Sequence, residues 1–154
     1  MHRVQVLNRQ KLVKMNPKAA SSFCREALRA LDRPDCLLSV VFLRNSEIRS
    51  LNRRYRGRDY PADVLSFGYG NEMLESKQFL GEIIISPETA REQARRWHTP
   101  LEKEIRRLLL HGILHLLGYD HESDKGEMNQ VQRRLMRRGF FGDASFAIVS
   151  EVRG

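Results

Sequence analysis

The chain has 154 residues, which suits one ordinary domain with a buried core, and we expect a single domain over residues 1–154. No stretch approaches the ~20 apolar residues of a membrane helix, and the N-terminus lacks the apolar segment of a secretion signal. These features predict a cytoplasmic protein that does not enter a membrane. The formal net charge of +8 indicates a polyanionic partner but does not define a fold.

The first half of the chain predicts alternating strands and helices, located by apolar periodicity and by capping residues. In chain order they are a strand over residues 4–8, a helix opened by Asn16 and Pro17, a strand over residues 37–43, a helix from Asn45 or Ser46 to Tyr55, and a charged loop over residues 56–62. The strand over residues 37–43 is apolar except for Ser39, as expected of a strand covered on both faces.

The second half predicts two more strands and three helices. They are a strand over residues 64–67, a turn or loop over residues 68–76, a strand over residues 79–85, a helix capped by Ser86, a helix opened by a capping box at Thr99 and Glu102, and a helix from Ser123 or Asp124 to Gly139. Residues 146–149 form either an extra strand or a docked tail. The predicted fold class is α+β: one mixed sheet of about four strands, about five helices, and a central buried helix that carries a histidine pair.

Residues 111–121 carry the most informative motif, HGILHLLGYDH, with three of the five histidines. His111 and His115 are four residues apart, so on a helix they project from the same face with Cβ atoms about 5–6 Å apart. Gly118 can adopt the left-handed conformation that ends a helix, which would bring His121 back towards the pair. Three imidazoles with a vacant fourth position describe a catalytic zinc site rather than a closed structural one.

Two other interpretations of the motif must be weighed. A single histidine on an apolar helix is usually a core residue bonded to a carbonyl oxygen, but two imidazoles buried together are costly unless one metal satisfies both. The spacing also matches metzincin peptidases, which place a glutamate after the first histidine as general base. This chain has Gly112 there, so the metal geometry is retained while the peptidase base is missing.

Three segments together resemble the YbeY family, bacterial single-domain, metal-dependent endoribonucleases implicated in ribosomal RNA maturation. The first is the histidine motif. The second is NRRYRGRD at residues 52–59 followed by DVLSF at 63–67, and the third is LGEIIIS at 80–86 with Gln93 and Ala94 downstream. The resemblance runs from about residue 37 to 125 and supports an α+β fold. Ala62 stands where it predicts a threonine, which affects a hydroxyl contact but no metal ligand.

We assign His111, His115 and His121 as the ligands of one zinc ion per chain, with His111 also counted in the catalytic centre. All-imidazole sites also bind copper, nickel and iron, so the metal identity stays open. Zinc would either lower the pKa of a bound water to about 7 or polarise a phosphoryl oxygen. The pattern does not decide whether water or an RNA 2′-hydroxyl attacks.

The resemblance places a functional arginine in the second block, and Arg56 is the matching position. A guanidinium near the metal would bind the scissile phosphate and stabilise the charge that develops on it; the alternative is an arginine paired with Asp59 or Asp63. Ser66 is expected either to contact phosphate or to bond only within the sheet. Asp63 and Asp120 are expected to orient ligand histidines, with capping of the turn as the alternative for Asp120.

Arginine is the commoner basic residue in three clusters, and its planar group suits bidentate phosphate contacts. The clusters are Arg53, Arg54, Arg56 and Arg58; Arg91, Arg95 and Arg96; and Arg133, Arg134, Arg137 and Arg138. Each alone is typical of a solvated helix face, but beside a metal site without a protease base they favour a nucleic acid. Cys24 and Cys36 show no metal or disulfide spacing and are predicted to pack in the core.

The resemblance implies a zinc-dependent, single-strand-specific endoribonuclease acting in ribosomal RNA maturation, including 16S 3′-end processing, and in ribosome quality control. Its partners would be ribosomal RNA and the ribosome or its small subunit, with no DNA. Charge and spacing alone reach only a metallohydrolase with a polyanionic partner. Two alternatives stay open: a zinc hydrolase of a peptide or small molecule that uses another carboxylate, and a ribosome-associated RNA-binding module with a structural metal.

Overall fold

The computed structural model describes residues 3–33, 35–68, 73–74, 77–119, 125–137 and 147–150. Its elements are β1 (Arg3–Asn8), α1 (Pro17–Ala30), β2 (Cys36–Phe42), α2 (Asn45–Arg56), β3 (Val64–Gly68), β4 (Met73–Leu74), β5 (Lys77–Ile85), α3 (Pro87–Arg96), α4 (Leu101–Leu116) and α5 (Glu127–Arg137). The predicted α+β class is confirmed. Within these residues no helix has the length and apolar character needed to cross a membrane.

One mixed sheet has the strand order β1-β2-β5-β3, with β4 paired to the beginning of β5. The first three strands of this order are parallel, and β3 lies antiparallel to β5 at the edge. The predicted loop over residues 68–76 was wrong in part, because Met73 and Leu74 pair with Gln78 and Lys77. Two paired residues carry too little periodicity to be detected from sequence.

Two predicted helix starts are confirmed by their capping bonds. The Asn16 side chain accepts a hydrogen bond from Ala19 N at 3.2 Å, and the Ser86 hydroxyl oxygen accepts one from Thr89 N at 3.2 Å. Each bond satisfies a backbone donor that the helix itself leaves unpaired. The last helix begins at Glu127, later than predicted; Ser123 and Asp124 lie outside the described residues.

The capping box at the start of α4 was a wrong prediction. Pro100 occupies the capping position, and no side chain caps the helix. The Glu102 carboxylate instead accepts hydrogen bonds from the backbone N–H groups of Ile148 and Val149, at 2.9 and 2.7 Å. The sequence left open whether this segment is an extra strand or a docked tail. Residues 147–150 form a docked tail, and Val149 also makes a β-bridge with Met15.

The sheet is covered on both faces, and α4 lies at the centre of the larger core. One face packs against α1 and α4, with Ile83, Leu109 and Ile113 fully buried. The other face packs against α2 through Ile48 and Ile84. The predicted central buried helix is therefore confirmed. Both cysteines are buried in the larger core, as predicted.

Candidate active site

The helix α4 runs alongside the edge strand β3, in the same direction. An ideal Cβ at Gly112 would lie 2.9 Å from Ile83 Cγ2, so the Ile83 side chain of strand β5 packs directly against the helix backbone at this point. One turn later, Leu116 Cδ2 reaches to 3.6 Å from the Cβ position of Gly68, at the end of β3. Ile83, which Gly112 contacts, is paired with Ser66 in the sheet. Ser66 therefore lies level with the histidine end of α4.

His111 and His115 project together from that end of the helix, as their spacing predicts. Their ring centroids are 5.4 Å apart and the rings are inclined by 49°. His111 is half-buried against the core, whereas His115 is exposed. The pair is thus reachable by a ligand from one side while α4 is held rigidly on the other.

The helix ends directly after the pair, as predicted from the glycine. Gly118 has a φ of +100°, and Tyr119 N donates to Leu114 O at 3.1 Å, which closes the helix C-terminus. His121 and Asp120, the predicted third ligand and its neighbour, lie outside the described residues. Among the residues that the structure describes, no three His, Cys, Asp or Glu side chains are grouped as a metal site.

The two histidines of the motif that the structure describes fit a zinc ion in their chemistry and spacing. Nitrogens bound at 2.0–2.1 Å to one tetrahedral zinc lie about 3.3 Å apart. Imidazole rings whose centroids are 5.4 Å apart can place one nitrogen each at that separation. His111 and His115 would hold two positions on the ion, and one more ligand would complete an open, three-ligand site.

The sequence predicted Arg56 as the first residue of a loop. In the structure it is the last residue of α2. Gly57 ends the helix in the left-handed region, with φ of +68°. The Arg56 guanidinium donates through Nη2 to Ser66 O at 3.0 Å, and its Cζ lies 5.7 Å from the Phe67 ring centroid. Strand β3 therefore fixes this exposed guanidinium.

The alternative partners for Arg56 are engaged elsewhere. Asp59 pairs with Arg49 at 2.9 Å, and this hydrogen bond lowers the pKa of Asp59. The Asp63 carboxylate accepts a hydrogen bond from Val64 N at 2.8 Å. Neither aspartate forms an ion pair with Arg56 among the described residues, so this alternative from sequence is wrong. Orientation of a histidine by Asp63 stays a prediction.

Ser66 belongs to the site through its position and its backbone. Paired residues in an antiparallel sheet point to the same face, so Ser66 shares the α4 face with Ile83. Its carbonyl, on the free edge of β3, anchors Arg56. Sequence reasoning missed both this anchor and Phe67 beneath the guanidinium, because a strand motif does not show which carbonyls face outwards. Direct contact of Ser66 with phosphate stays a prediction.

A model of the Endoribonuclease YbeY family matches residues 5–139 of this chain. The chain belongs to the YbeY family. An Endoribonuclease YbeY from Aquifex aeolicus is 44% identical over 131 residues, covering 85% of this chain and 86% of the relative. One from Syntrophus aciditrophicus is 34% identical over 140 residues, covering 90% and 88%. These names describe RNA-cleaving hydrolases.

A solved structure supports the fold of this YbeY-family chain. The solution structure of TM1509 from Thermotoga maritima aligns with a TM-score of 0.58 at 29% identity, covering 92% of this chain and 96% of that one. The family match includes Arg56, Ser66 and the whole histidine motif. The family resemblance predicted from the three sequence segments is thereby confirmed.

Proposed function

We propose that the protein is a zinc-dependent endoribonuclease that cleaves single-stranded RNA. Its active site would be formed by His111, His115, His121 and Arg56. The observation that carries the proposal is the histidine pair, with ring centroids 5.4 Å apart and His115 exposed, on the helix that packs against the sheet whose edge strand fixes Arg56. An imidazole site open on one side, with a guanidinium held by the edge strand of the same sheet, suits a phosphodiester, whose charge rises in the transition state.

Each residue has a distinct task. The three histidines hold the ion, and zinc supplies Lewis acidity at neutral pH. Arg56 binds a non-bridging phosphate oxygen through the N–H groups that remain beside its bond to Ser66, since a guanidinium has five donors. Gly112 leaves no general base beside His111, which separates this site from the peptidases with the same histidine spacing.

We further propose ribosomal RNA as substrate, with maturation of the 16S 3′ end and ribosome quality control in the cytoplasm as the setting. The names of the relatives and the net charge of +8 support an RNA partner. Single-strand preference is consistent with a site at an exposed helix end, where an unpaired strand can approach both the histidines and Arg56.

Metal analysis joined to RNA cleavage tests the proposal. Wild type should hold one zinc ion per chain and cleave a single-stranded 16S 3′-end fragment but not its duplex form. His115→Ala should lose both zinc and cleavage. His98→Asn is the matched control, because His98 is exposed with φ of +53°, a conformation that asparagine tolerates. Equal cleavage by wild type and His115→Ala would overturn the proposal.

A further inference from the structure

A second feature of the molecule is a basic groove beside the first half of α4. It has a volume of about 530 Å³ and lies between the end of α3, α4 and α5. Its lining includes one aromatic ring, four basic side chains and one carboxylate: Trp97, Lys103, Arg107, Arg133, Arg137 and Glu104. An aromatic ring among several cations is the composition of a surface that binds single-stranded nucleic acid.

Trp97 packs beside an ion pair whose carboxylate is buried and whose guanidinium is partly exposed. Arg107 donates two hydrogen bonds of 2.8 Å to Glu104, which is only 1% exposed. These bonds hold the pKa of the Arg107 guanidinium above its usual value against the opposing effect of burial. The Arg107 Cζ lies 5.6 Å from the Trp97 ring centroid. Trp97 nevertheless remains 52% exposed, so the ring offers surface for another planar group.

The cations of the groove are arranged for an anionic partner. Arg133 and Arg137 are one turn apart on α5, a like-charge spacing that disfavours the free helix. Both are exposed, and neither forms an ion pair with the part of the chain that the structure describes. Lys103 is also exposed. A bound polyanion would remove the repulsion between the two arginines.

The groove lies about one helical turn from the histidine pair. Arg107 precedes His111 by four residues on α4, which is about 6 Å along the helix axis. A strand whose phosphate reaches the histidines can therefore continue into the groove without leaving the surface of α4. The groove is thus placed to bind nucleotides next to the cleaved bond.

We propose that this groove is a binding site for unpaired nucleotides of the RNA substrate, with one base stacked on Trp97 and backbone phosphates bound by Arg133 and Arg137. The inference rests on the proposed function, because it takes RNA as the substrate. RNA is favoured over an acidic protein by the half-exposed aromatic ring, since any base can stack on it whereas carboxylates gain nothing from it.

The test is a binding titration of the zinc-loaded protein with an unstructured 2′-O-methyl RNA, whose integrity is checked on a gel afterwards. The chain has one tryptophan, so quenching of its fluorescence reports directly on Trp97. Anisotropy of a labelled RNA compares the variants. Trp97→Ala should bind about 5- to 150-fold more weakly, the effect of losing one base stack, while Trp97→Phe should bind close to wild type.

Salt dependence tests the phosphate contacts. Each lost contact should reduce the slope of log affinity against log salt by about 0.7 for a single strand, so Arg133→Gln and Arg137→Gln should each show this reduction. Lys11→Gln, an exposed change away from the groove, is the control and should leave affinity and slope unchanged. The half-exposed position of Trp97 allows its variants to fold, and thermal unfolding checks this.

The outcomes separate this inference from the function on which it rests. If wild type cleaves RNA, the groove alone is overturned when Trp97→Ala equals wild type in affinity and KM and the two arginine variants equal it in salt slope. Wild type that binds RNA through Trp97 but cleaves none overturns the nuclease proposal alone. An acidic peptide could instead displace the RNA and quench Trp97 fluorescence as strongly as RNA does. That result would assign the groove to a protein partner and overturn the inference.

Discussion

Gly112 lies against Ile83 where the histidine helix packs on the sheet. A Cβ at residue 112 would approach Cγ2, Cδ1 and Cγ1 of Ile83 to 2.9, 3.0 and 3.1 Å. Ile83 is fully buried and branched at Cβ, so it has little freedom to move away. The glycine that removes the peptidase base is therefore also the residue that lets α4 pack closely on β5.

Gly112→Ala is expected to destabilise the protein despite the better helix propensity of alanine. Overpacking costs about 1–3 kcal/mol, and the propensity gain of about 1 kcal/mol offsets only part of it. In an Ile83→Ala background the obstructing atoms are absent, so the same substitution should be neutral or stabilising. Denaturant unfolding of the four proteins of this cycle measures the coupling, expected at about 0.5–3 kcal/mol. Purely additive effects would show that the contact is unimportant.

Gly112→Glu restores the residue order of a peptidase motif and should still give no peptidase. The larger side chain meets the same Ile83 atoms, so we expect loss of stability rather than a new activity. A casein assay beside thermal unfolding checks both parts. Casein cleavage by a stably folded variant would show that glycine at this position, and not the rest of the site, excludes peptide hydrolysis.

Arg56→Lys should lower RNA cleavage by about 100- to 1000-fold, the usual cost of losing one donor to transition-state charge. Lysine cannot reproduce a planar group that bonds Ser66 O and phosphate together. Because Arg56 is exposed, stability should change by no more than about 0.5 kcal/mol. Arg54→Lys is the matched control on the same helix and should retain activity. Comparable losses in the two variants would point to general surface charge instead.

Local signals predicted most of the fold, and long-range contacts account for what they missed. The caps at Asn16 and Ser86 depend on residues three positions away, so the sequence contains the whole interaction. Glu102 had the spacing of a local cap but bonds residues 148 and 149 instead. Nothing near residue 102 indicates that partner. Gly112 is a second example, because the need for glycine there comes from its contact with Ile83 on strand β5.

The candidate site also has one part that the local sequence predicts and one part that depends on long-range contacts. The histidine pair follows from helical geometry alone, and the pair is found with its rings together. The anchor of Arg56 does not follow, because it requires knowing that β3 is an edge strand with its Ser66 carbonyl facing outwards. Aspartates close to Arg56 in sequence were the obvious partners, yet Asp59 is taken by Arg49.

Glu102→Ala should release the tail from α4. The carboxylate accepts bonds from Ile148 N and Val149 N and pairs with Arg106 at 2.8 Å. Loss of hydrogen bonds to a charged acceptor costs about 1–3 kcal/mol, with partial exposure placing the value towards the lower end. Hydrogen exchange at the two tail amides should accelerate. Glu92→Ala, an exposed glutamate on α3, is the control. Unchanged exchange in Glu102→Ala would mean that the β-bridge alone holds the tail.

Cys24 makes stability depend on pH in the alkaline range. Burial raises the pKa of its thiol from 9.0 to about 12. The folded state therefore keeps a proton that the unfolded state loses above pH 9.0. The contribution of the protonated thiol to the free energy of unfolding is complete below pH 9.0 and disappears as pH rises towards 12. The slope is about −1.4 kcal/mol per pH unit in this window.

Cys24→Ala isolates this effect, because the other titrating groups are common to both proteins. At neutral pH the variant should be less stable by about 1 kcal/mol, since the substitution leaves a small cavity in a fully buried position. Above pH 9.0 wild type should lose this advantage, and the order of stability should reverse within about one pH unit, given the slope of 1.4 kcal/mol. Urea unfolding of both proteins across this range measures the difference. A difference that stays constant with pH would show that the folded state does not keep the thiol protonated.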